Sequence, residues 1–362
     1  MSKVFFFDYA TEQDVLSGIE SLYTELALLE MIPKGSSVAV KLHMGELGNI
    51  TYIRPVFVRK VVDLIKQAGG KPFVTDTTAL YPGERDTAEK YLLTAAFHGF
   101  VPESLGAPVI IADRNGYDGV SAPVESTVAG CQLKEVKVAT KIYEADFLLV
   151  LSHVKGHMLT GFSGAIKNLG MGCVTKETKR RQHAVNSPLL DESKCDECGA
   201  CVKLCPTGAL TMERGKPKRD LGKCLHCSTC LFECPSGALF WGNGVKEQLQ
   251  VYLAHAALAV MHRFNGRAGF INFVQDVTPH CDCNAPAGRA IVPDMGMLAA
   301  LDPVAIDKAS IDLIDQAPII LSPKPLTPPD ILGKLHNTDS LVQLRVAQRL
   351  GLGNLGYQLI SL

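Results

Sequence analysis

One cysteine pattern, present twice, limits what this chain can become more than any other feature. Cys195, Cys198 and Cys201 are followed by Cys205 and Pro206, and Cys224, Cys227 and Cys230 by Cys234 and Pro235, so each copy reads CxxCxxCxxxCP. Three thiolates at that spacing wrap one face of an iron-sulfur cube, and the intervening helical turn sends the fourth toward a second cube. The expected ligand sets are Cys195, Cys198, Cys201 with Cys234, and Cys224, Cys227, Cys230 with Cys205, for two 4Fe-4S clusters. A zinc ribbon uses two CxxC knuckles and has no role for a third cysteine or for the CP step. The surrounding residues repeat too, CDECGACVKLCPTGAL against CLHCSTCLFECPSGAL, which predicts a duplicated, pseudo-twofold unit.

The other residues must fold around that unit. At 362 residues the chain is long enough for two domains, or for one large domain carrying an insertion. Basic and acidic side chains balance at 36 against 37, which gives no reason to expect a nucleic-acid surface. No apolar run is long enough to span a membrane, and Asp8 cuts short the apolar Phe5 to Phe7 run, so the reading is a cytoplasmic protein. In a reducing compartment the twelve cysteines are expected to bind metal or react rather than pair.

Short β-branched or aromatic runs alternate with helical patterns, which predicts an α/β fold: an open, mostly parallel sheet with helices on both faces. The runs are Val4 to Phe7, Val38 to Leu42, Phe73 to Thr75, Val109 to Ala112 and Phe147 to Leu151, with Phe270 to Val274 later. Helices are expected from Glu12 to Leu29 with Thr11 as cap, from Pro55 to Ala68, from Asp86 to His98, from Val245 to Arg263, beyond Asp302 as cap, and from Asp339 to Leu350.

Ligands in open α/β sheets bind beyond the carboxyl ends of the strands, where Asp8, His43, Asp76, Asp113 and His153 fall. An Asp there is commonly a turn former or cap, whereas His43 and His153 have less to offer a turn. Polar residues are densest in HVKGHMLTGFSGAIKNLGMGC, which gathers His153, Lys155, His157, Lys167 and Cys173 among glycines that include Gly161 and Gly164. Such glycines let backbone N–H groups approach an anion, or let a turn pack tightly on the sheet. Lys167 in an apolar segment favours a ligand site. The basic run from Lys176 to His183 reads as a solvated face or as a guide for an acidic substrate or partner. The loop QDVTPHCDCNAP places Asp276, His280, Cys281, Asp282 and Cys283 together, and its CxC pair can act as soft metal ligands or as a redox-active thiol pair. Cys131 reads as a core thiol in a strand-like stretch. Asp294 and Asp307 have no evident assignment.

The segments KLHMGELGN, FVTDTTALYPGERDTAEKY, LSHVKGHMLTGFSGAIKNLGMGC, the paired cysteine motifs, INFVQDVTPHCDC and DMGMLAALDPVAIDKAS resemble, over nearly the whole chain, an iron-sulfur centre family known as domain of unknown function 362. The resemblance implies a ferredoxin-like α+β unit at 188–241 inserted into a discontinuous α/β domain at 1–187 and 242–362. The segment from His157 through Gly161, Ser163, Gly164 and Lys167 is also similar to the HxxxGxSGGxK loop of nickel-pincer lactate racemases, where the lysine holds the cofactor. Ala165 stands here in place of the second glycine.

Three functions are compatible with these features. The first is an oxidoreductase whose clusters deliver electrons to a small-molecule substrate or additional metal held by Lys167, His157, His153, His43, the loop at Gly161, Ser163 and Gly164, and the Cys281–Cys283 pair. The second is a carrier that docks to a redox partner protein. The third is a non-redox isomerase with structural clusters. Whether His43, His157, Lys167 and the CxC loop face a common cavity near a cluster separates the first from the second.

Overall fold

The computed structural model describes residues 1–362 apart from positions 12, 126, 127 and 129. Eight strands form one sheet: β1 (Ser2–Asp8), β2 (Ser37–Lys41), β3 (Lys71–Asp76), β4 (Val109–Ile111), β5 (Phe147–His153), β6 (Ala268–Val274), β7 (Gly296–Ala300) and β8 (Tyr357–Ser361). Their order is β8-β1-β7-β6-β5-β2-β3-β4, and only β7 runs against the rest. The central strands are buried on both faces, so they carry continuous apolar runs instead of alternating ones.

Alternation survives in where the side chains go. Phe5 and Phe7 enter one core while Val4 and Phe6 enter the other, and Phe147, Leu149 and Leu151 oppose Leu148 and Val150 in the same way. The first face is covered by α1 (Val15–Glu25) and α2 (Pro55–Gln67), and Phe57 of α2 stacks on Phe273 of β6 with ring centroids 5.8 Å apart. Phe273 is fully buried, and truncating such a side chain costs about 3–5 kcal/mol. The chain next forms α3 (Ala88–Phe97). The second face is covered by α4 (Ala165–Gly170), α6 (Val245–Phe264), α7 (Pro303–Gln316) and α8 (Val342–Arg349). Between α4 and α6 lies α5 (Lys176–His183).

Local chemistry sets most helix boundaries. Pro55 occupies the first turn of α2 and Gly69 follows it at φ 85°, while Asp302 caps α7 by accepting from the amides of Val304 at 2.9 Å and Ala305 at 3.0 Å. The expected Glu12 to Leu29 helix is corrected at both ends. Asp14, not Thr11, is its cap, accepting from Leu16 and Ser17 at 3.0 Å each, and a left-handed Ala27 at φ 52° breaks the run; position 12 lies outside the described residues. Cys131 sits in a loop, not a strand, although it packs on the second core as expected. Strands β7 and β8 had no counterpart in the sequence reading.

Residues 188–241 leave this frame after α5 and return at α6. Leu189 pairs with Phe240 and Leu190 with Leu239, so the segment starts and ends side by side. Inside it are a hairpin, Leu210–Glu213 with Lys216–Arg219, and two one-turn helices, Ala200–Lys203 and Thr229–Phe232. Among the described residues no helix is long and apolar enough to cross a membrane.

Candidate functional site

Because β2, β3, β5 and β6 are mutually parallel, their carboxyl ends share one edge. There Lys41 at the end of β2 pairs with Asp76 at the end of β3 at 2.8 Å, and both are almost wholly buried. Tyr91 donates to Asp76 at 2.5 Å, and Lys41 donates to Asn168 at 2.6 Å. Burial, the largest single influence, raises the Asp76 carboxyl, but Lys41, His43 and the Tyr91 hydroxyl together outweigh it and bring the pKa to about 2. Asp8 and Asp113 serve turns instead: Asp8 accepts from the Ala10 amide at 2.8 Å and Asp113 from the Thr78 amide at 2.9 Å.

The Cys281 loop meets this edge because β5 and β6 pair up to Phe273 and His153 and then run on together. The Gly156 amide donates to Thr278 at 2.8 Å, and a Cβ at Gly156 would lie 2.2 Å from the Pro279 carbonyl oxygen, so glycine is needed for the close approach. Asp282 is fully buried between His153 Nδ1 and Lys155 Nζ, each at 2.9 Å. Burial raises its pKa, yet those two neighbours hold the carboxyl well below its ordinary value. The His153 ring is held at both nitrogens, by Asp282 at Nδ1 and by the Gln275 carbonyl at 2.9 Å at Nε2. His153 is thus a positioning residue that fixes the loop. The structure joins Cys281 to Cys283 in a disulfide, a state in which neither sulfur is free to bind a metal.

The glycine-rich loop turns out to be a packing device. Gly161 has φ 67°, and a Cβ there would lie 2.2 Å from Ser340 Oγ. At Gly164 a Cβ would lie 2.2 Å from Asp307 Oδ1, whose carboxylate accepts from the amides of Ala165 at 2.6 Å and Ile166 at 2.9 Å. The backbone cradle expected for a ligand anion is therefore filled by the chain's own Asp307, which answers what that residue does. Asp294 likewise accepts from the Asp276 amide at 2.6 Å. Ser163 faces the interior beside Lys167.

A cavity of about 550 Å³ opens above the edge. His43, His157, Lys167, Cys281 and Cys283 line it on the sheet side, and Cys227, Phe232 and Trp241 line it on the side of the cysteine-rich segment. A smaller cavity of about 70 Å³ continues from it past Lys41, His153, Ser163 and Gly164. His43 Nδ1 accepts from the Gly45 amide at 3.0 Å and its buried Nε2 has no partner. Burial, followed by the charge of Arg85, pushes this imidazole well below its ordinary pKa, so the neutral ring carries its proton on Nε2. His157 is held the same way, with Nδ1 accepting from Leu159 at 3.2 Å and burial, then Lys167, lowering its pKa. Burial and the nearby Lys155 lower the Lys167 ammonium to about 7, and this side chain has no hydrogen-bond or ion-pair partner among the described residues. Arg85 also lines the cavity, and nothing in its sequence context singled it out. Cys173 is a buried core thiol raised by burial to about 12.

Much of the basic run is turned inward, although Arg181 is exposed. Lys179 donates to Thr77 Oγ1 at 2.7 Å beneath the cavity, and Arg180 grips the backbone of the cysteine-rich segment at Cys224 O, 3.0 Å, and Leu221 O, 3.1 Å. Within that segment the two halves fold alike. Glu197 and Gly199 have φ of 61° and 71°, and their counterparts His226 and Ser228 have 56° and 61°. Cys195, Cys198, Cys201 and Cys234 line one small cavity.

The family model described as "Domain of unknown function (DUF362)" matches residues 38–312. The chain belongs to this family. The match begins at β2 and ends within α7, so it takes in the strand ends, the glycine-rich loop, the cysteine-rich segment and the Cys281 loop. No curated protein matches the chain. Among solved structures, a protein from Thermotoga maritima is similar at 12% identity with a TM-score of 0.43, over 82% of this chain and 59% of that one. The lactate racemase apoprotein from Thermoanaerobacterium thermosaccharolyticum is similar at 14% identity with a TM-score of 0.38, over 75% of this chain and 51% of that one. The chain thus spans between about half and three fifths of the length of these two structures.

Proposed function

We propose that residues 188–241 form an inserted ferredoxin-like unit with two 4Fe-4S clusters, and that the chain is an iron-sulfur oxidoreductase acting on a ligand held in the large cavity. The cysteine chemistry fits. The four cysteines expected for the first cluster, Cys195, Cys198, Cys201 and Cys234, line a single cavity. In the second set the His226 amide donates to Cys224 Sγ at 3.3 Å, and the Ala209 amide to Cys205 Sγ at 3.2 Å, the kind of N–H···S contact that tunes cluster potentials. Left-handed residues at matching places in each loop have the conformation from which successive amides could turn toward an enclosed anion.

Clusters bound there would supply electrons one at a time. The chain's own residues provide the rest: His43 and His157 present N–H donors, Lys167 presents a cation, and the Cys281–Cys283 disulfide can accept two electrons and two protons to become two thiols. The observation that carries the reading is that one cavity is walled by Cys227 of the second ligand set and by Lys167, His157 and the disulfide. A pure carrier has no need of such a chamber.

Anaerobically purified protein should contain roughly eight irons and eight acid-labile sulfides per chain. Zinc, or the absence of sulfide, would overturn the assignment. Given clusters, replacing Cys281 and Cys283 by Ser should abolish turnover or ligand-dependent reoxidation while the reduced-cluster spectrum persists; a carrier would be indifferent to the change.

A further inference from the structure

We propose that the large cavity binds a molecule with one carboxylate and an apolar body, the carboxylate seated among Lys167, Arg85 and the Nε2–H of His43. The inference depends on the cavity being a ligand site and not on the clusters.

Three donors face this space with nothing to donate to. Arg85 is 4% exposed; its Nε pairs with Glu46 at 3.0 Å, but its buried Nη2 has no hydrogen bond. His43 has spent Nδ1 on the Gly45 amide and leaves Nε2 buried and unmatched. The carboxylate that acts on Lys167, Asp282, is already matched by Lys155. The His43 and Arg85 donors are buried without acceptors, which is costly, and an anion would satisfy both beside the half-buried Lys167 ammonium. The charge selects a monoanion. Arg85 is balanced by Glu46, and Lys179, which lines the same cavity, lies in the field of Asp113 and Asp76, so Lys167 is the one cation of the three donors without a counterion, and a dianionic phosphate would leave a net charge in a desolvated space. The opposite wall selects the rest of the molecule: Met158, Phe232, Trp241, Leu249 and Leu253 give an apolar surface, and about 550 Å³ is far more than a simple ion needs.

Titration calorimetry at pH 7 with hexanoate, benzoate, hexanol, benzyl alcohol and inorganic phosphate tests this on the purified holoprotein. Both carboxylates should bind at least roughly tenfold more tightly than the matching alcohols, the difference expected of a charge-assisted hydrogen bond. Lys167→Met should erase that preference, and Lys167→Arg should keep most of it. In the wild-type protein, carboxylate binding should take up protons, measured in two buffers of different ionisation heat, because an anion beside the Lys167 ammonium restores its charge. Four results would each overturn the proposal: no carboxylate binding up to on the order of 10 mM, alcohols or phosphate binding as tightly as the acids, an unaltered preference in Lys167→Met of native melting temperature, or no proton uptake. Iron and sulfide content of the same sample reports on the clusters separately. Clusters without carboxylate binding sink only this inference, and carboxylate binding without iron sinks only the cluster assignment.

Discussion

Asp282→Asn is the most informative single change, because it removes one charge and almost no volume. The carboxylate is fully buried and holds His153 and Lys155 at 2.9 Å each. His153 Nδ1 lies 2.9 Å from both oxygens and Lys155 Nζ 2.9 Å from Oδ2, so an Asn oxygen placed at Oδ2 can still accept from both, but the NH₂ at Oδ1 sets a donor against His153 and the Lys155 ammonium loses its counter-charge. Removing one member of a buried ion pair costs about 3–5 kcal/mol. At about 2.1 cal/mol/K per residue, 362 residues unfolding together have an entropy of roughly 0.76 kcal/mol/K, so that cost lowers Tm by about 4–7 °C. The pH dependence adds a second check. Asp282 has a depressed pKa when folded, so its stabilisation is fully present above the unfolded value of about 3.9 and is lost as pH falls through the folded value below it. The Tm gap between wild type and variant, read by calorimetry, should therefore stay level from pH 7 to pH 5 and close only in stronger acid. A gap under about 1 °C, or one that already narrows between pH 7 and 5, would refute the ion-pair account of this loop.

Two further changes test other parts of the frame. Asp307→Asn should destabilise the chain by about 1–3 kcal/mol in thermal or urea melts, because both carboxylate oxygens accept N–H groups and either orientation of the amide sets a donor against Ala165 or Ile166. Arg180→Ala should leave the main melting transition in place but speed protease cleavage near residues 188 and 241, since it removes the guanidinium that grips Leu221 and Cys224 across the seam.

Much of the fold is legible because the information is local. Val38 to Leu42, Phe73 to Thr75 and Phe147 to Leu151 are apolar runs of strand length, and Pro55 with Gly69 marks both ends of a helix. What escapes notice depends on partners distant in sequence. β7 hides in MLAAL, which suits a helix equally well until Phe5 and Ile271 flank Ala299 on its two sides. The site divides along the same line. His43, His157, Lys167 and the CxC pair are visible as unusual residues beside strands and glycines. Arg85 follows an unremarkable Pro-Gly-Glu, and its place over Tyr91 and beside Glu46 exists only after folding. Asp307 looked idle because the amides it accepts from lie some 140 residues earlier in the chain.

That capping by Asp307 also decides how the cavity can recognise an anion. With the amides of Ala165 and Ile166 occupied by Asp307, those two donors at the start of α4 are spent, and recognition passes to side chains. The helix has only six residues, yet it is fixed at both ends: Asp307 holds the first turn, and Asn168 donates to Leu151 O at 2.9 Å and accepts from Lys41 at 2.6 Å. Lys167 lies between those anchors. It is therefore the freedom of its long side chain, and not of the backbone, that would adapt to a ligand, while Lys41 and Lys155 stay pinned by carboxylates. A loop built only to pack would place an apolar residue at 167, next to the buried Ile166 and Leu169. A lysine with its charge half suppressed and no acceptor is tolerable in that position only beside a cavity that admits water or, as proposed here, a carboxylate.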